Sequence, residues 1–292
     1  MKKSYFYAAI SILFWSTIAT VSKLLLKSLG SFEVLTISTA FAGLTLFVSS
    51  LLGGGYKKYK TLKLKDIIIM ILIGLPGTFF YNAFYYLGTE KLLASQAFII
   101  NYLWPIMSVV FAVILLKEKM TVRKGLAIII SFLGVITVAG GDLLNFNANS
   151  LIGAGLCILA AVCYGAFCAL NKKWHYDKQI SLALSFLSTA LISFIINLAT
   201  GSEFNFELLE AAGLMYNGIF VLAIATTTWA LALDFGDTAK ISNLAYITPF
   251  ASLIWTSFIL KEPISIWSIA GLIIIVLGIF IQLGPNKQKI NR

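Results

Sequence analysis

A chain of 292 residues that is 59% hydrophobic and 12% charged, with a mean hydropathy of +0.92, is too apolar for a soluble globular domain. Its formal charge of +10 would suggest nucleic acid in a soluble protein, but the basic residues cluster in short loops where anionic lipid satisfies them. Little chain is left outside the apolar stretches to build a catalytic domain. The single His175 and the cysteines Cys157, Cys163 and Cys168, all on one apolar stretch, make neither a metal-ligand set nor a Ser/His/Asp triad, so no enzyme activity and no cofactor are expected.

Ten apolar stretches hold close to the roughly 20 residues that a helix needs to cross a bilayer. They are about 4–26, 32–52, 66–88, 92–116, 122–140, 151–171, 180–200, 211–233, 239–260 and 264–283, which predicts an all-α integral membrane protein with ten spans. The first is preceded by lysines but is too long for a signal segment and lacks a small-residue cleavage site, so it reads as a retained span. On it, Ser11, Trp15 and Ser22 fall on one face. Lys23 is the one cation inside a span, and near a helix end it is expected to snorkel to the interface. On span three, Thr78, Tyr81 and Tyr85 share a stripe with Asn82 one position away, and Pro76 reads as a packing kink without a counterpart. Span four carries Asn101 and Trp104 on one face, followed by Pro105 near its centre.

In the second half, Cys157, Ala161, Tyr164, Cys168 and Asn171 form a small-residue stripe on span six, the pattern of a helix-packing face. Span eight carries Trp229 and ends near Asp234. Span nine aligns Asn243, Tyr246 and Phe250, with Pro249 at its centre. Each central proline removes an N–H and leaves the carbonyl four residues earlier, at Asn101 and at Ala245, without its helical partner. In hydrocarbon such a carbonyl needs a neighbouring helix, water or a ligand.

The two proline motifs, Tyr102-Leu103-Trp104-Pro105 and Tyr246-Ile247-Thr248-Pro249, lie 144 residues apart, and the spacing holds for Lys117-Glu118 with Lys261-Glu262 and for Gly134 with Gly278. Trp15, with Lys23 eight residues on, matches Tyr164, with Lys172 eight residues on. The chain reads as a duplication, residues 1–146 and 147–292, with five spans each. An odd number of spans inverts the second copy, as in carriers whose two repeats enclose a substrate at the midplane. With Met1 inside, 18 of the 22 Lys and Arg residues fall in inner loops and tails, including Lys57, Lys58, Lys60, Lys63 and Lys65. The outer loops hold Lys27, Lys91 and Lys261 and the acids Glu203, Glu207 and Glu210, so both termini are expected in the cytoplasm.

No Asp or Glu falls in the middle of a span; Glu33 and Asp234 stand at span ends. A cavity of amides, hydroxyls and aromatic faces suits a zwitterionic or neutral solute with an apolar part, and an aromatic cage for a quaternary ammonium stays open beside it.

Phe14-Trp15-Ser16-Thr17, Asn101-Tyr102-Leu103-Trp104-Pro105, Tyr246-Ile247-Thr248-Pro249 and the two Lys-Glu pairs resemble the EamA family of the drug/metabolite transporter superfamily, over essentially the whole chain. The Asn-Tyr-Leu-Trp-Pro run and Trp229 with Gly236 look like its bacterial aromatic-amino-acid exporters. The resemblance implies ten helices in two inverted halves around a central cavity, and export of amino acids or related metabolites across the inner (plasma) membrane. The substrate-binding candidates are Trp15, Tyr81, Asn82, Tyr85, Asn101, Trp104, Tyr164, Trp229, Asn243 and Tyr246, between helix breaks at Pro105 and Pro249. A carrier of cations or quaternary-ammonium drugs is the alternative, and a non-transporting membrane scaffold or lipid-handling protein is the reading from another class.

Overall fold

A computed structural model describes residues 2–143, 148–202, 204–236, 241 and 244–283, and all regular structure among them is helical. The first predicted span is two helices, α1 (Lys2–Ser16) and α2 (Ile18–Leu25). The hydroxyl groups of Ser16 and Thr17 donate to the carbonyls of Leu13 and Phe14 at 2.8 and 2.7 Å, competing with the helical ladder where it breaks. Span one is therefore interrupted at Thr17 while still extending over Lys3–Leu25. Next come α3 (Ser31–Ser50), a π-helical turn Leu51–Gly55, the short α4 (Tyr56–Thr61) and α5 (Leu64–Leu75). The π-helical segment Pro76–Phe80 joins α5 to α6 (Tyr81–Lys91).

Span four is broken as its proline requires, into α7 (Ala94–Asn101) and α8 (Trp104–Leu116). Pro105 takes the second position of α8, where its missing N–H costs nothing. Three long helices follow, α9 (Val122–Leu143), α10 (Ala148–Lys173) and α11 (Lys178–Thr200). Then α12 (Leu208–Tyr216) passes through a third π-helical segment, Asn217–Ile224, into α13 (Ala225–Phe235). The last two are α14 (Ile247–Leu260), with Pro249 at its third position, and α15 (Ile266–Leu283).

Among the described residues, seven helical stretches are long and apolar enough to cross a membrane, and Ile247–Leu260 and Ile266–Ile281 are shorter apolar helices. Exposed Leu, Ile and Phe side chains such as Leu52, Leu72, Ile114, Leu198 and Phe258 form the outer surface, which only lipid can cover.

Helices of the first half pack on helices of the second: α3 along α11, α9 along α15, α10 against α6 and α8, and α1 against α13 and α14. The α9–α15 seam shows how closely. A Cβ on Gly134 would meet Ile275 and the Gly271 carbonyl, and one on Gly278 would meet Ser131 and the Ala127 carbonyl. Gly278, Ile275 and Gly271 stand 144 residues after Gly134, Ser131 and Ala127, so the antiparallel contact is reciprocal at that spacing. The same spacing relates Lys117 (φ 56°, ψ 30°) to Lys261 (φ 57°, ψ 25°), the two non-glycine residues with positive φ among those described. Each lysine ends its helix in the left-handed conformation, and the following glutamate N–H returns to a carbonyl six residues back, Glu118 to Ala112 and Glu262 to Thr256. The Lys-Glu pairs are thus helix stops that throw a glutamate side chain off the helix end.

Two expectations need correction. Pro76 has no proline counterpart, yet its π-helical segment has one in Asn217–Ile224, which includes the position 144 residues on. Lys23 does not snorkel outward: it is half-buried, and its Nζ donates to the carbonyls of Thr89 at 2.6 Å and Leu92 at 2.5 Å, capping the end of α6.

Candidate functional site

The break in span four ends α7 at Asn101 and starts α8 at Trp104, so both side chains stand beside the gap. Asn101 is buried and its Nδ2 donates to the Tyr81 hydroxyl at 3.0 Å. The Tyr81 ring stacks along its own helix on Tyr85 (6.1 Å, 7°) and meets Tyr164 of α10 at 4.8 Å. Tyr164 in turn takes the edge of Trp104 at 5.1 Å. Five predicted residues, Tyr81, Tyr85, Asn101, Trp104 and Tyr164, therefore form one continuous aromatic wall with an amide at its centre. The small-residue stripe of α10 makes this approach possible: a Cβ on Gly88 would lie 2.6 Å from Cys157 Sγ, so α6 and α10 are as near as their backbones allow.

Trp15 and Trp229 form a second pair at 5.4 Å, joined one turn away by Ser11 and Thr228, whose hydroxyls lie 2.7 Å apart. Asn82 does not belong to the wall. Its Nδ2 donates to the Thr78 carbonyl of its own helix at 2.7 Å, while the Thr78 hydroxyl accepts from Thr189 of α11. Tyr246 is half-buried with its ring on Phe280 at 5.1 Å. Asn243 lies outside the described residues, as does Glu203.

The carbonyl of Ala245 is not free for a solute. Tyr102, one residue from the predicted Asn101, donates its hydroxyl to it at 2.6 Å, beside the Thr248 N–H at 3.0 Å. The freed carbonyl of one broken helix is thus tied to the aromatic residue of the other. Sequence reasoning missed Tyr102 because helical spacing puts it off the Asn101–Trp104 face. It also missed Asn217, whose Nδ2 donates to Tyr86 at 2.9 Å and Ser38 at 3.1 Å and whose signal was an amide in mid-span.

Asn82 Oδ1, Asn101 Oδ1, Asn217 Oδ1 and the Tyr85 hydroxyl are buried without a hydrogen-bond partner. Each such atom costs about 1–3 kcal/mol if it stays dry, which favours a ligand or water that brings donors. The wall contains no acidic side chain, and no group of His, Cys, Asp or Glu that could hold a metal exists among the described residues. Chemically the site can stack an apolar or aromatic body and accept hydrogen bonds from N–H groups.

In the polar loops Glu118 and Asp177 are paired with lysines. Glu118 accepts from Lys172 at 2.9 Å and Lys124 at 3.1 Å, and those hydrogen bonds hold its carboxyl below the ordinary range. Asp177 caps α11 through the N–H groups of Gln179 and Ile180 and binds Lys58 at 2.6 Å.

The profile of the EamA-like transporter family matches residues 2–140 and 151–284. An uncharacterized transporter of Archaeoglobus fulgidus is 25% identical over 96% of this chain and 98% of its own length. One of Clostridium kluyveri is 23% identical over 99% and 95%, and the uncharacterized transporter YoaV of Bacillus subtilis is 26% identical over 83% and 86%. A crystal structure at 18% identity superposes with a TM-score of 0.69 over 96% of this chain and 98% of that one, sharing the fold. This chain belongs to the EamA-like transporter family, and it is a multi-pass membrane transporter.

Proposed function

We propose that the protein is a carrier that moves amino acids with an apolar or aromatic side chain, or closely related metabolites, out of the cell by alternating access. Its ten spans form two inverted halves, residues 1–146 and 147–292, with both termini cytoplasmic. The reciprocal α9–α15 contact and the paired helix stops at Lys117 and Lys261 support the inversion, because two-fold-related copies meet through matching positions. The observation that carries the substrate class is the wall of Tyr81, Tyr85, Trp104 and Tyr164 around Asn101, with unpaired acceptors and no carboxylate. Rings take the side chain, and amide and backbone oxygens take the ammonium. We assign the Trp15–Trp229 pair, with rings 5.4 Å apart, to the same site.

The test is substrate-induced thermal stabilisation of the purified protein, followed by uptake into proteoliposomes, with phenylalanine, threonine, choline and guanidinium. Stabilisation and uptake with phenylalanine are expected, and Trp104→Ala should weaken binding by about 1–3 kcal/mol through lost stacking area. Uptake of choline or guanidinium alone would replace this reading with a cation carrier. A well-folded Trp104→Ala protein with unchanged affinity would move the site elsewhere.

A further inference from the structure

Glu262 is the carboxylate thrown off the end of α14 by its lysine helix stop, and it is buried at 9% exposure. It reaches 168 residues back along the chain to the start of α7, where it accepts from the Ala94 N–H at 2.8 Å, the Ser95 N–H at 3.1 Å and the Ser95 hydroxyl at 3.0 Å. The N-terminus of α7 presents unpaired N–H groups and a positive dipole end, which a carboxylate satisfies. Beside it, Lys23 on α2 takes the carbonyls of Thr89 and Leu92 at the end of α6. The two residues therefore cap both ends of the α6–α7 turn, each from a different helix.

Glu118 has the same place at the end of α8, yet its carboxylate is tied to Lys124 and Lys172 at a side-chain exposure of 36%. Lys172, which pairs with Lys23 by sequence, is 68% exposed. Equivalent residues thus do different work at the two ends of the molecule: one end is sealed by backbone caps, the other holds its charges in a surface cluster. Below the Glu262 and Lys23 caps, α2, α7 and α14 pack on one another. On α2 and α14 the hydroxyls of Thr20, Ser22, Thr248 and Ser252 are buried without partners. Four dry hydroxyls beneath one seal are unfavourable in this arrangement and become satisfied once water enters between those helices.

We infer that Glu262 and Lys23 form the latch that closes the outer side of the carrier, and that releasing Glu262 from Ala94 and Ser95 opens a water path lined by Ser22 and its neighbours. The structure is the outward-closed state. The inference rests on the alternating-access reading, but its test needs no substrate, so failure of the substrate assignment leaves it measurable.

A cysteine is placed at Ser22 in the full-length protein lacking Cys157, Cys163 and Cys168, and an impermeant methanethiosulfonate is added outside intact cells. With Glu262 in place the cysteine should react slowly. Glu262→Ala should raise its labelling rate about tenfold or more by shifting the population toward the open state. Glu118→Ala should leave the rate unchanged, which separates release of the latch from general loosening. Should Glu262→Ala not reach the membrane, Glu262→Gln combined with Ser95→Ala removes the charge and one donor and is held to the same expectation. An unchanged rate in either folded latch variant overturns the assignment, as does an equal increase in Glu118→Ala.

Discussion

The α9–α15 seam is a direct test of whether backbone proximity holds the two halves together. A Cβ added at Gly134 would stand 2.7 Å from Ile275 Cγ1, 2.8 Å from the Gly271 carbonyl oxygen and 2.9 Å from the Ile275 nitrogen. At Gly278 the distances are 2.2 Å to Ser131 Oγ, 2.9 Å to the Ala127 carbonyl oxygen and 3.0 Å to the Ser131 nitrogen. Two of the three neighbours are backbone in each case, so the helices themselves must separate. Gly125 lies on the same helix, and a Cβ there meets nothing within 4 Å. Gly125→Ala should therefore stabilise by up to about 1 kcal/mol, the helix-propensity gain alone. Gly134→Ala and Gly278→Ala receive the same gain but lose about 1–3 kcal/mol to overpacking, so each should fall below Gly125→Ala by about that difference. Both substitutions wedge one seam, so the double variant should cost less than the sum by about 0.5 kcal/mol or more. Thermal unfolding of the protein in mild detergent reads all four. If Gly134→Ala proved as stable as Gly125→Ala, the close seam would not be the contact that the distances describe.

Tyr102→Phe should destabilise by about 1–2 kcal/mol in the same assay, because the Ala245 carbonyl beside Pro249 keeps only the Thr248 N–H. Equal stability would mean that water replaces the hydroxyl at no cost. On whole cells an impermeant maleimide should label a cysteine at Glu207 and not one at Lys60, both exposed side chains in connections between spans that the charge distribution puts on opposite sides; the reverse pattern would refute the topology. Burial pushes the Asp177 carboxyl up, but the Lys58 hydrogen bond and charge and the Ile180 and Gln179 N–H groups outweigh it, so it titrates below its ordinary value. A depressed carboxyl stabilises above its unfolded pKa and loses that contribution as pH falls through the folded value. Asp177→Asn should therefore lower the unfolding temperature at about pH 7 and by much less at about pH 3; an equal deficit at both would assign the loss to something other than charge.

Much of this architecture is written in the sequence because bilayer physics leaves few choices. Apolar length locates the spans, and a proline in mid-span must break its helix, as it does before Pro105 and Pro249. The wall of Tyr81, Asn101, Trp104 and Tyr164 follows from helical spacing on three predicted spans, since each residue had only to lie on an inward face. What spacing on one helix cannot give is reach between helices. Tyr102 and Glu262 act on backbone groups 143 and about 168 residues away, and no local pattern announces an acceptor that exists only after folding. The π-helical segments Pro76–Phe80 and Asn217–Ile224 had a fainter signal. Each has a glycine at its second position, Gly77 against the Phe167 ring and Gly218 against the Ser38 carbonyl, where a Cβ would stand at 2.3 Å in both cases. Glycine, rather than the proline found in only one of them, is what the two segments share, because the close approach of a neighbour and not the loss of an N–H sets their geometry. The Lys-Glu pairs make the same point about charge. Read along the chain they are two loop residues; in the fold they are a helix stop and a side chain aimed across the molecule, and only the second copy of the motif finds a helix end to cap.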